Sequence, residues 1–503
     1  MSVIKQIHSQ NLITPNPLKT LEAREEQGVE AGEYYGFTQL INEQLINLNH
    51  YTNIFTPDYP DPHFIEDILG GDNFKLSILD TNLNIIVELG SGELNTNDRY
   101  FTFAYYLKCE QNQIKIFGIG TNKEISEDHF VFSELTFNMD LELINEIWFD
   151  LPITDIKRIN HVAKNNNGNY VMTARREVVP GNSNTLERFL CEFNLEGEVL
   201  NYKAPLVDIS NLGLKEENVV KQLSNGYYVL FPYYILDQNF NEVALFDEHE
   251  MILSGKIEEL DSTRFLIGGT GFSLINNNTE LITYEALCIG DIEGNLDTIF
   301  YNSWPHFYVD THPGARALSA KDTSHIYFAI NKDGFYLTET TYIQIHSLNI
   351  NGDINWAYYF GGDASYAPID IITMPDGGCM LTVMKAYGNL GFGTIPFSDL
   401  EYVIFDIDGN VKEVITSTGK EPDFELLKAL VFPNPAGNQI FIEYAKLSDD
   451  LSIEIMTIDG KSVFTQQLGQ ERMINVNELV SGMYVYRLTD KGAFIQSGQI
   501  MVD

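Results

Sequence analysis

The chain of 503 residues carries 31 Lys and Arg against 71 Asp and Glu, a formal net charge of −40 at pH 7. This length exceeds what one hydrophobic core usually fills, so the sequence predicts two domains, one of them large. The negative charge repels phosphate groups, which argues against nucleic acid and anionic membranes as partners and suits solubility outside the cell. The 27 Tyr and 31 Phe residues favour strands.

The first 30 residues predict an N-terminal arm, in which the acidic stretch 21–27 is compatible with a single helical turn. The residues that follow Met1 lack the continuous apolar stretch of a secretory signal. Along the whole chain no apolar run approaches the roughly 18 residues that a membrane-spanning helix needs, so we expect no transmembrane segment.

A strand–turn–strand phrase recurs between about residue 74 and residue 412 and predicts a repeat domain over residues 31–416. Each turn begins with Asp or Asn, whose side chain bonds to the backbone two residues on, and continues with Gly or Asn, which tolerate positive φ. The turns begin at residues 80, 138, 194, 237, 291, 349 and 406. The copies at 194, 291, 349 and 406 are clear, and the other three are degenerate.

A second phrase, seen at 168–172 and 263–267, precedes most of these turns, so we expect about four strands in each repeat. Four short strands with a period of about 40–60 residues are typical of a β-propeller. The sequence therefore predicts an all-β chain with a roughly seven-bladed β-propeller. Six or eight blades stay open, because the first 70 residues are hard to divide. Two β-sandwiches are the competing fold, and the even period argues against them.

The four cysteines, Cys109, Cys191, Cys288 and Cys379, are widely separated and form no Cys-x-x-Cys pair. We therefore expect neither a zinc cluster nor a redox motif. An even number permits disulfides in an exported protein. The preferred interpretation is that they are small core residues, because Cys191 and Cys288 lie at equivalent places in two repeats.

One segment rich in aromatic residues and histidine, residues 304–313, is the most site-like part of the repeat domain. Imidazole ligates transition metals, and aromatic rings stack on the apolar faces of sugars. Trp304, His306, Tyr308 and His312 are therefore the candidate ligand-binding residues. The alternative is a loop between blades in which the aromatic residues simply pack.

Catalytic motifs are missing from the sequence: it has no Gly-x-Ser-x-Gly elbow, no His-Glu-x-x-His and no phosphate-binding loop, so we predict no catalytic residue. Residues 406–410 resemble a fragment of a calcium loop, but the pattern recurs in register as a hairpin turn, which favours turn chemistry. Acidic pairs such as 258–259 are expected in a chain this acidic and do not indicate a glycosidase. We expect no metal site and no cofactor.

The repeat ends before residues 417–430, which contain Gly419, Pro422 and three acidic side chains and form a predicted linker. Beyond it, residues 431–503 alternate between apolar and polar side chains, for example over 439–444 and 451–456. Turns recur there about every 10–15 residues, a spacing that predicts a small immunoglobulin-like β-sandwich.

Three ordered motifs in residues 431–503 resemble the C-terminal sorting domain (type A) of the type IX secretion system of Bacteroidetes. They are an opening Pro-Asn-Pro after a short apolar stretch, a central Asp-Gly-Lys hairpin and a late Ser-Gly-x-Tyr. The residues that carry the resemblance are Pro433, Asn434, Pro435, Asp459, Gly460, Ser481, Gly482 and Tyr484. Many family members end in a Lys-rich strand, whereas this chain ends in Gly-Gln-Ile-Met-Val-Asp.

This resemblance implies that the outer-membrane machinery of the type IX system recognises the tail and that the protein is secreted or held at the cell surface. Such cargo first crosses the inner membrane, so we expect a leader upstream of Met1 or one that has been removed. The first hypothesis is a binding or scaffold protein with an extracellular glycan or protein as ligand. The alternative is a hydrolase or lyase that acts on extracellular polysaccharide. A third interpretation is an intracellular propeller that forms complexes.

Overall fold

The computed structural model describes residues 32–502 apart from several internal segments. In this described part every regular element is a strand, and none of the elements is a long apolar helix of the kind that crosses a membrane. The predicted N-terminal arm and most of the predicted linker lie outside it. The residues left undescribed are 1–31, 42–43, 53–73, 81–84, 91–98, 111, 123–130, 155, 179–185, 207–218, 232–233, 247–251, 276–279, 305–316, 333–341, 362–364, 387–397, 417–428, 433, 445–449, 459, 469–471 and 503.

The first 28 strands form antiparallel sheets of four consecutive strands each. Sheet 1 contains β1 (Gly32–Ile41), β2 (Gln44–Thr52), β3 (Phe74–Leu79) and β4 (Ile85–Gly90). Sheet 2 contains β5 (Arg99–Glu110), β6 (Gln113–Asn122), β7 (Val131–Phe137) and β8 (Leu143–Phe149). Sheet 3 contains β9 (Ile156–Lys164), β10 (Tyr170–Glu177), β11 (Leu186–Phe193) and β12 (Val199–Lys203). Sheet 4 contains β13 (Val219–Gln222), β14 (Tyr228–Phe231), β15 (Tyr234–Leu236) and β16 (Glu242–Leu245).

Three more sheets continue the series in the same order. Sheet 5 contains β17 (Ile252–Glu259), β18 (Arg264–Ile275), β19 (Glu280–Asp291) and β20 (Leu296–Trp304). Sheet 6 contains β21 (Leu318–Asp322), β22 (His325–Lys332), β23 (Tyr342–Leu348) and β24 (Ile354–Gly361). Sheet 7 contains β25 (Ser365–Thr373), β26 (Cys379–Ala386), β27 (Ser398–Phe405) and β28 (Val411–Thr416).

The turn between the third and fourth strands has the predicted chemistry. In sheet 3 the Asn194 side-chain oxygen accepts hydrogen bonds from the backbone N–H groups of Glu196 (3.1 Å) and Glu198 (2.9 Å). The Asn194 amide donates to the Glu198 carboxylate at 2.9 Å, and Gly197 supplies a φ of 80°. The described turns of this kind all join one amide and one carboxylate, in the pairs Asn138–Glu142, Asn194–Glu198, Asp237–Asn241, Asp291–Asn295, Asn349–Asp353 and Asp406–Asn410.

The degenerate copies of the turn keep the same backbone conformation without glycine. Leu141 and Phe240 stand where the clear copies have Gly, and they adopt φ values of 59° and 61°. Positive φ is costly for residues with a Cβ. The side-chain hydrogen bonds of Asn138 and Asp237 to the backbone therefore stabilise these two turns against that cost.

The turn glycine also sets how closely successive sheets pack. A Cβ added to Gly352 would overlap the carbonyl oxygen of Ile299, which lies in the outermost strand of sheet 5. A Cβ added to Gly409 would overlap the ring of Trp356 in sheet 6. The equivalent glycines of sheets 3 and 5 approach the sheets before them in the same way. Glycine is therefore needed at these turns for space as well as for positive φ.

Neighbouring sheets pack face to face, and the last sheet packs against the first. Leu45 and Leu79 of sheet 1 share a buried cluster with Met380, Tyr402 and Ile404 of sheet 7. Similar clusters join each sheet to the next around the rest of the ring. The first strands of neighbouring sheets contact one another, which makes the first strand of every sheet the inner one. A closed ring of four-stranded antiparallel sheets is the architecture of a β-propeller, which confirms the all-β, propeller-like prediction.

The ring has two faces with different connections. Because consecutive strands are antiparallel, the turns after the first and third strands of each sheet all emerge on one face, the turn face. Turns on this face touch their neighbours: the Asn166 amide of sheet 3 donates to the carbonyl oxygen of Leu223 in sheet 4 at 2.9 Å. The second and fourth strands of each sheet end on the opposite face, the loop face.

The C-terminal strands form a small β-sandwich of two sheets. Sheet 8 contains β29 (Ala429–Phe432), β30 (Gln439–Tyr444) and β33 (Met473–Asn475). Sheet 9 contains β31 (Leu451–Thr457), β32 (Ser462–Gln467), β34 (Gly482–Asp490) and β35 (Ala493–Val502). The alternating apolar residues of both sheets form one core, to which Ile440, Ile453 and Leu488 belong. Leu430 of β29 packs against Tyr359 of β24, so this tail contacts sheet 6 of the ring.

Candidate functional site

The candidate ligand-binding residues of the repeat domain are placed only in part. Trp304 is the last residue of β20, the outermost strand of sheet 5. His306, Tyr308 and His312 lie outside the described residues, in the connection between sheets 5 and 6. The described strand that leads to them, β20, ends on the loop face. The ligand-binding role of the four residues stays a prediction.

Four charged side chains on three inner strands form one network, the inner charge network of Lys221, Lys256, Glu258 and Asp370. Lys256 Nζ lies 2.7 Å from Asp370 Oδ1 and 3.4 Å from Glu258 Oε1. Lys221 Nζ lies 3.0 Å from Glu258 Oε2. Lys256 belongs to sheet 5 and Asp370 to sheet 7, so their ion pair joins two sheets that are not neighbours in the ring and lies near its centre.

Burial and neighbouring charges shift the pKa values in this network in different directions. Burial alone would raise the pKa of Glu258, but Lys256 and Lys221 together hold that pKa below its usual range. Burial also raises the pKa of Asp370, and the single ammonium group of Lys256 offsets this only in part. Burial opposes the charge of Lys256, yet the two carboxylates hold the pKa of this ammonium group above its usual range. The lysine therefore stays protonated between two unlike carboxyl groups.

Two carboxyl groups with opposite pKa shifts are the arrangement that glycosidases use as acid and base. Here the Lys256 ammonium group lies between them, within 3.4 Å of an oxygen of each. A substrate oxygen that approached both carboxyl groups would have to displace it. In this arrangement the inner charge network connects sheets 4, 5 and 7 by ion pairs. The sequence did not predict the inner charge network, because the residues of the network are far apart in the chain and meet only when the ring closes.

The cysteines occupy core positions rather than a reactive site. All four are free thiols, and Cys191, Cys288 and Cys379 are buried. Cys191 and Cys288 lie on the third strands of sheets 3 and 5, which are equivalent places in the ring. Burial raises the pKa of Cys109 to about 12, which suppresses the reactive thiolate. Among the residues that the structure describes, no group of three or more His, Cys, Asp or Glu side chains is arranged to hold a metal ion.

The outer rim of the ring carries a repeated apolar feature. The residue that bulges out of the outermost strand, just after the turn, is Ile86, Ile144, Leu200 and Val243 in sheets 1 to 4. These four residues, the rim row, are between 46% and 52% exposed. The same bulge holds the half-buried Ile299 in sheet 5 and the polar residues Asn355 and Lys412 in sheets 6 and 7. The sequence reasoning missed this row, because a β-bulge without glycine leaves no local signal.

In the tail, Asn434 binds the edge of the last strand. Its side-chain amide donates to the carbonyl oxygen of Gln499 at 3.1 Å, and its side-chain oxygen accepts from the backbone N–H of Met501 at 2.9 Å. The Ala436 backbone N–H donates to the carbonyl oxygen of Met501 at 2.7 Å. The described part of the Pro-Asn-Pro motif, Asn434 and Pro435, therefore lies where a further strand would pair with β35.

The other predicted motif residues of the tail lie at turns. Gly460 has a φ of 86° in the turn between β31 and β32. Ser481 precedes β34, which Gly482 begins. The hydroxyl of Tyr484 donates to the carbonyl oxygen of Val480 at 2.7 Å and fixes the loop before this strand. Pro433 and Asp459 lie outside the described residues. These positions show what the residues do for the fold, and their role in sorting stays a prediction.

The chain is similar to several solved structures, each at low sequence identity. A xylan beta-1,4-xylosidase from Bacillus halodurans C-125 is 9% identical, with 94% of this chain and 90% of that chain covered and a TM-score of 0.31. The polysaccharide lyase Uly1 is 10% identical, with 80% and 92% covered and a TM-score of 0.27. A mutant apocarotenoid oxygenase from Synechocystis is 9% identical, with 68% and 74% covered and a TM-score of 0.29. These similarities are too weak to indicate an activity, and no curated protein matches the chain.

The tail, in contrast, has a clear relative. Residues 430–503 match the family model of the secretion system C-terminal sorting domain. This match covers the sandwich, the Pro-Asn-Pro motif and the Ser-Gly-x-Tyr motif together. It contradicts the third interpretation, in which the propeller stays inside the cell. Residues 430–503 are therefore a type IX secretion sorting domain, and the protein that carries them is exported to the cell surface or the medium.

Proposed function

We propose that this protein is an exported binding or scaffold protein that holds an extracellular partner on the rim of its ring. The observation that carries the proposal is the rim row of Ile86, Ile144, Leu200 and Val243. Four consecutive sheets expose an aliphatic side chain at the same structural position. The favourable term in most protein association is the burial of such side chains.

The fold alone does not require apolar residues at this position. A β-bulge in an outermost strand protects the sheet edge from pairing with another chain, and this explains the shared geometry. The bulge is formed equally well with Asn355 in sheet 6 and with Lys412, which is 48% exposed, in sheet 7. Sheet 5 also has an aliphatic residue in this bulge, but Ile299 is half-buried. An exposed aliphatic side chain at this position is therefore a property of sheets 1 to 4 and supports a partner on that side of the ring.

The position of the tail leaves sheets 1 to 4 free for a partner. It contacts the ring through Leu430 and Tyr359, at the outermost strand of sheet 6. The rim row lies on the other sheets, so the sorting domain does not cover it. The exposed residues Leu143, Tyr202 and Leu245 extend the apolar surface on three of the four sheets.

The test compares the double variant Ile144→Ser, Leu200→Ser with the matched control Lys412→Ser. Each labelled protein is titrated onto washed cells of a type IX-secreting bacterium and onto arrays of extracellular glycans and proteins. We expect saturable binding by the wild type and the control, and at least about a tenfold weaker affinity for the rim variant. Equal binding by both variants, or no binding by the wild type to any of these targets, would contradict the proposal.

The alternative function is a hydrolase or lyase acting on extracellular polysaccharide. The opposite pKa shifts of Asp370 and Glu258 favour it, and Trp304, His306, Tyr308 and His312 are its candidate substrate contacts. The ammonium group between the two carboxyl groups argues against it. Incubation with a panel of polysaccharides distinguishes the two functions. New reducing ends or unsaturated products, lost in Asp370→Asn, would support the enzyme.

A further inference from the structure

The outer face of sheet 8 in the tail carries a row of exposed apolar side chains. Phe432, Phe441 and Met473 are direct cross-strand neighbours on β29, β30 and β33. They are 36%, 41% and 43% exposed. The two phenyl rings stack with centroids 5.9 Å apart. The three side chains form one continuous row across the whole sheet, which we call the aromatic row.

The core of the sandwich does not need this row. Side chains alternate between the two faces of a strand, and the inward residues Ile440, Ile442 and Ile474 are buried. On the outward face, the next cross-strand pair is polar, Gln439 opposite Asn475. An outward face of this kind is normally polar throughout. The apolar row therefore interrupts a polar face, which is the usual sign of a surface that another molecule covers.

The ring covers the neighbouring part of the same face and stops short of the row. Leu430, the other outward residue of β29, is only 5% exposed, because it packs against Tyr359 of sheet 6. Phe432 follows two residues later on the same face and remains exposed. The aromatic row is therefore adjacent to the contact between the ring and the tail, but it is not covered by the ring. A partner that binds the row would contact the tail next to its junction with the ring.

We propose that the aromatic row is the surface by which the outer-membrane machinery of the type IX system holds this tail. All three residues lie within residues 430–503, the segment that matches the sorting domain. The match to a sorting domain implies engagement with that machinery. A second copy of this chain is a poor occupant, since two chains of charge −40 repel each other.

The experiment uses the full chain, with a secretory leader, in a bacterium that has a type IX system. The test variant is Phe432→Ser, Phe441→Ser, and the matched control is Phe494→Ser, which is 63% exposed on sheet 9 of the same tail. The ratio of surface and medium protein to periplasmic protein is measured for each. Because aromatic side chains are frequent anchors of interfaces, we expect about a tenfold drop for the test variant and no change for the control.

Two control measurements are needed to interpret the result. Deletion of residues 429–503 shows whether the tail is needed for export, which is a separate conclusion from the role of the row. If the deletion is retained in the periplasm while the test variant is exported like the wild type, the row proposal is wrong and the sorting domain stands. Thermal denaturation of the purified variants checks the fold, and if the double variant melts early, the milder Met473→Ser replaces it in the same assay.

Discussion

The close packing of turn glycines against the preceding sheet predicts how much an alanine substitution at these turns destabilises the protein. Gly352 has a φ of 82°, and a Cβ there would overlap the Ile299 carbonyl oxygen of the preceding sheet. Gly226 has a φ of 93°, but a Cβ there would meet nothing within 4 Å. Both Gly352→Ala and Gly226→Ala therefore force a residue with a Cβ into positive φ. Only Gly352→Ala also creates a steric overlap with the neighbouring sheet.

The expected magnitudes follow from these two costs. Positive φ costs a residue with a Cβ about 1–2 kcal/mol, which is the whole expected effect of Gly226→Ala. Gly352→Ala adds an overlap with backbone that moves only if sheets 5 and 6 separate, and overpacking of this kind costs about 1–3 kcal/mol more. We therefore expect a loss of about 2–5 kcal/mol for Gly352→Ala.

Urea denaturation followed by tryptophan fluorescence measures both variants. Trp356 is a suitable reporter, because it is 8% exposed and packs between sheets 6 and 7. The free energy of unfolding should fall by clearly more for Gly352→Ala than for Gly226→Ala. Equal losses would refute the reasoning, because they would mean that the turn of sheet 6 does not press against sheet 5.

Three further predictions concern the tail, a carboxylate and the thiols. Asn434→Ala removes two hydrogen bonds to the last strand, so hydrogen exchange at the Met501 amide should speed up by about tenfold while the ring melts unchanged. The backbone N–H of Thr263 lowers the pKa of Asp261 to about 2, so its stabilising contribution is complete above pH 4 and is lost as the pH falls towards 2. Because Asp261 is 39% exposed, Asp261→Ala should cost less than about 1 kcal/mol at pH 7 and only a small part of that at pH 2, where the carboxyl group is about half protonated, as urea titrations at both pH values will show. The buried thiols of Cys191, Cys288 and Cys379 should resist alkylation in the native protein and react fully after unfolding, as mass spectrometry will show; rapid labelling of these three in the native protein would contradict their burial.

Much of the ring was predictable because its turns have local chemistry. An Asx side chain and a glycine three residues later are visible in the sequence, and they mark the third and fourth strands of the later sheets. Sheet 1 was the exception. Its first hairpin joins β1 and β2 through residues 42–43, which lack glycine, and the long connection 53–73 then separates β2 from β3. No local signal joins strands across such a gap.

The candidate surfaces were less predictable, because they depend on long-range geometry. Alternation places Lys256 and Glu258 on one face of a strand, but only ring closure brings Asp370 to them. The rim row depends on bulges, which shift an aliphatic residue such as Ile144 out of the regular alternation. In the tail, the Pro-Asn-Pro motif was visible in the sequence, whereas the pairing of Phe432 with Phe441 required the register of the sheet.

The most direct test of the account is the export of the chain with and without its tail. The full protein, with a secretory leader, and a deletion of residues 429–503 are expressed in a bacterium that has a type IX system. We expect the full protein to reach the surface or the medium and the deletion to stay in the periplasm. If both forms distribute alike, the tail does not sort this protein, and the assignment of an extracellular partner to the ring would fall with it.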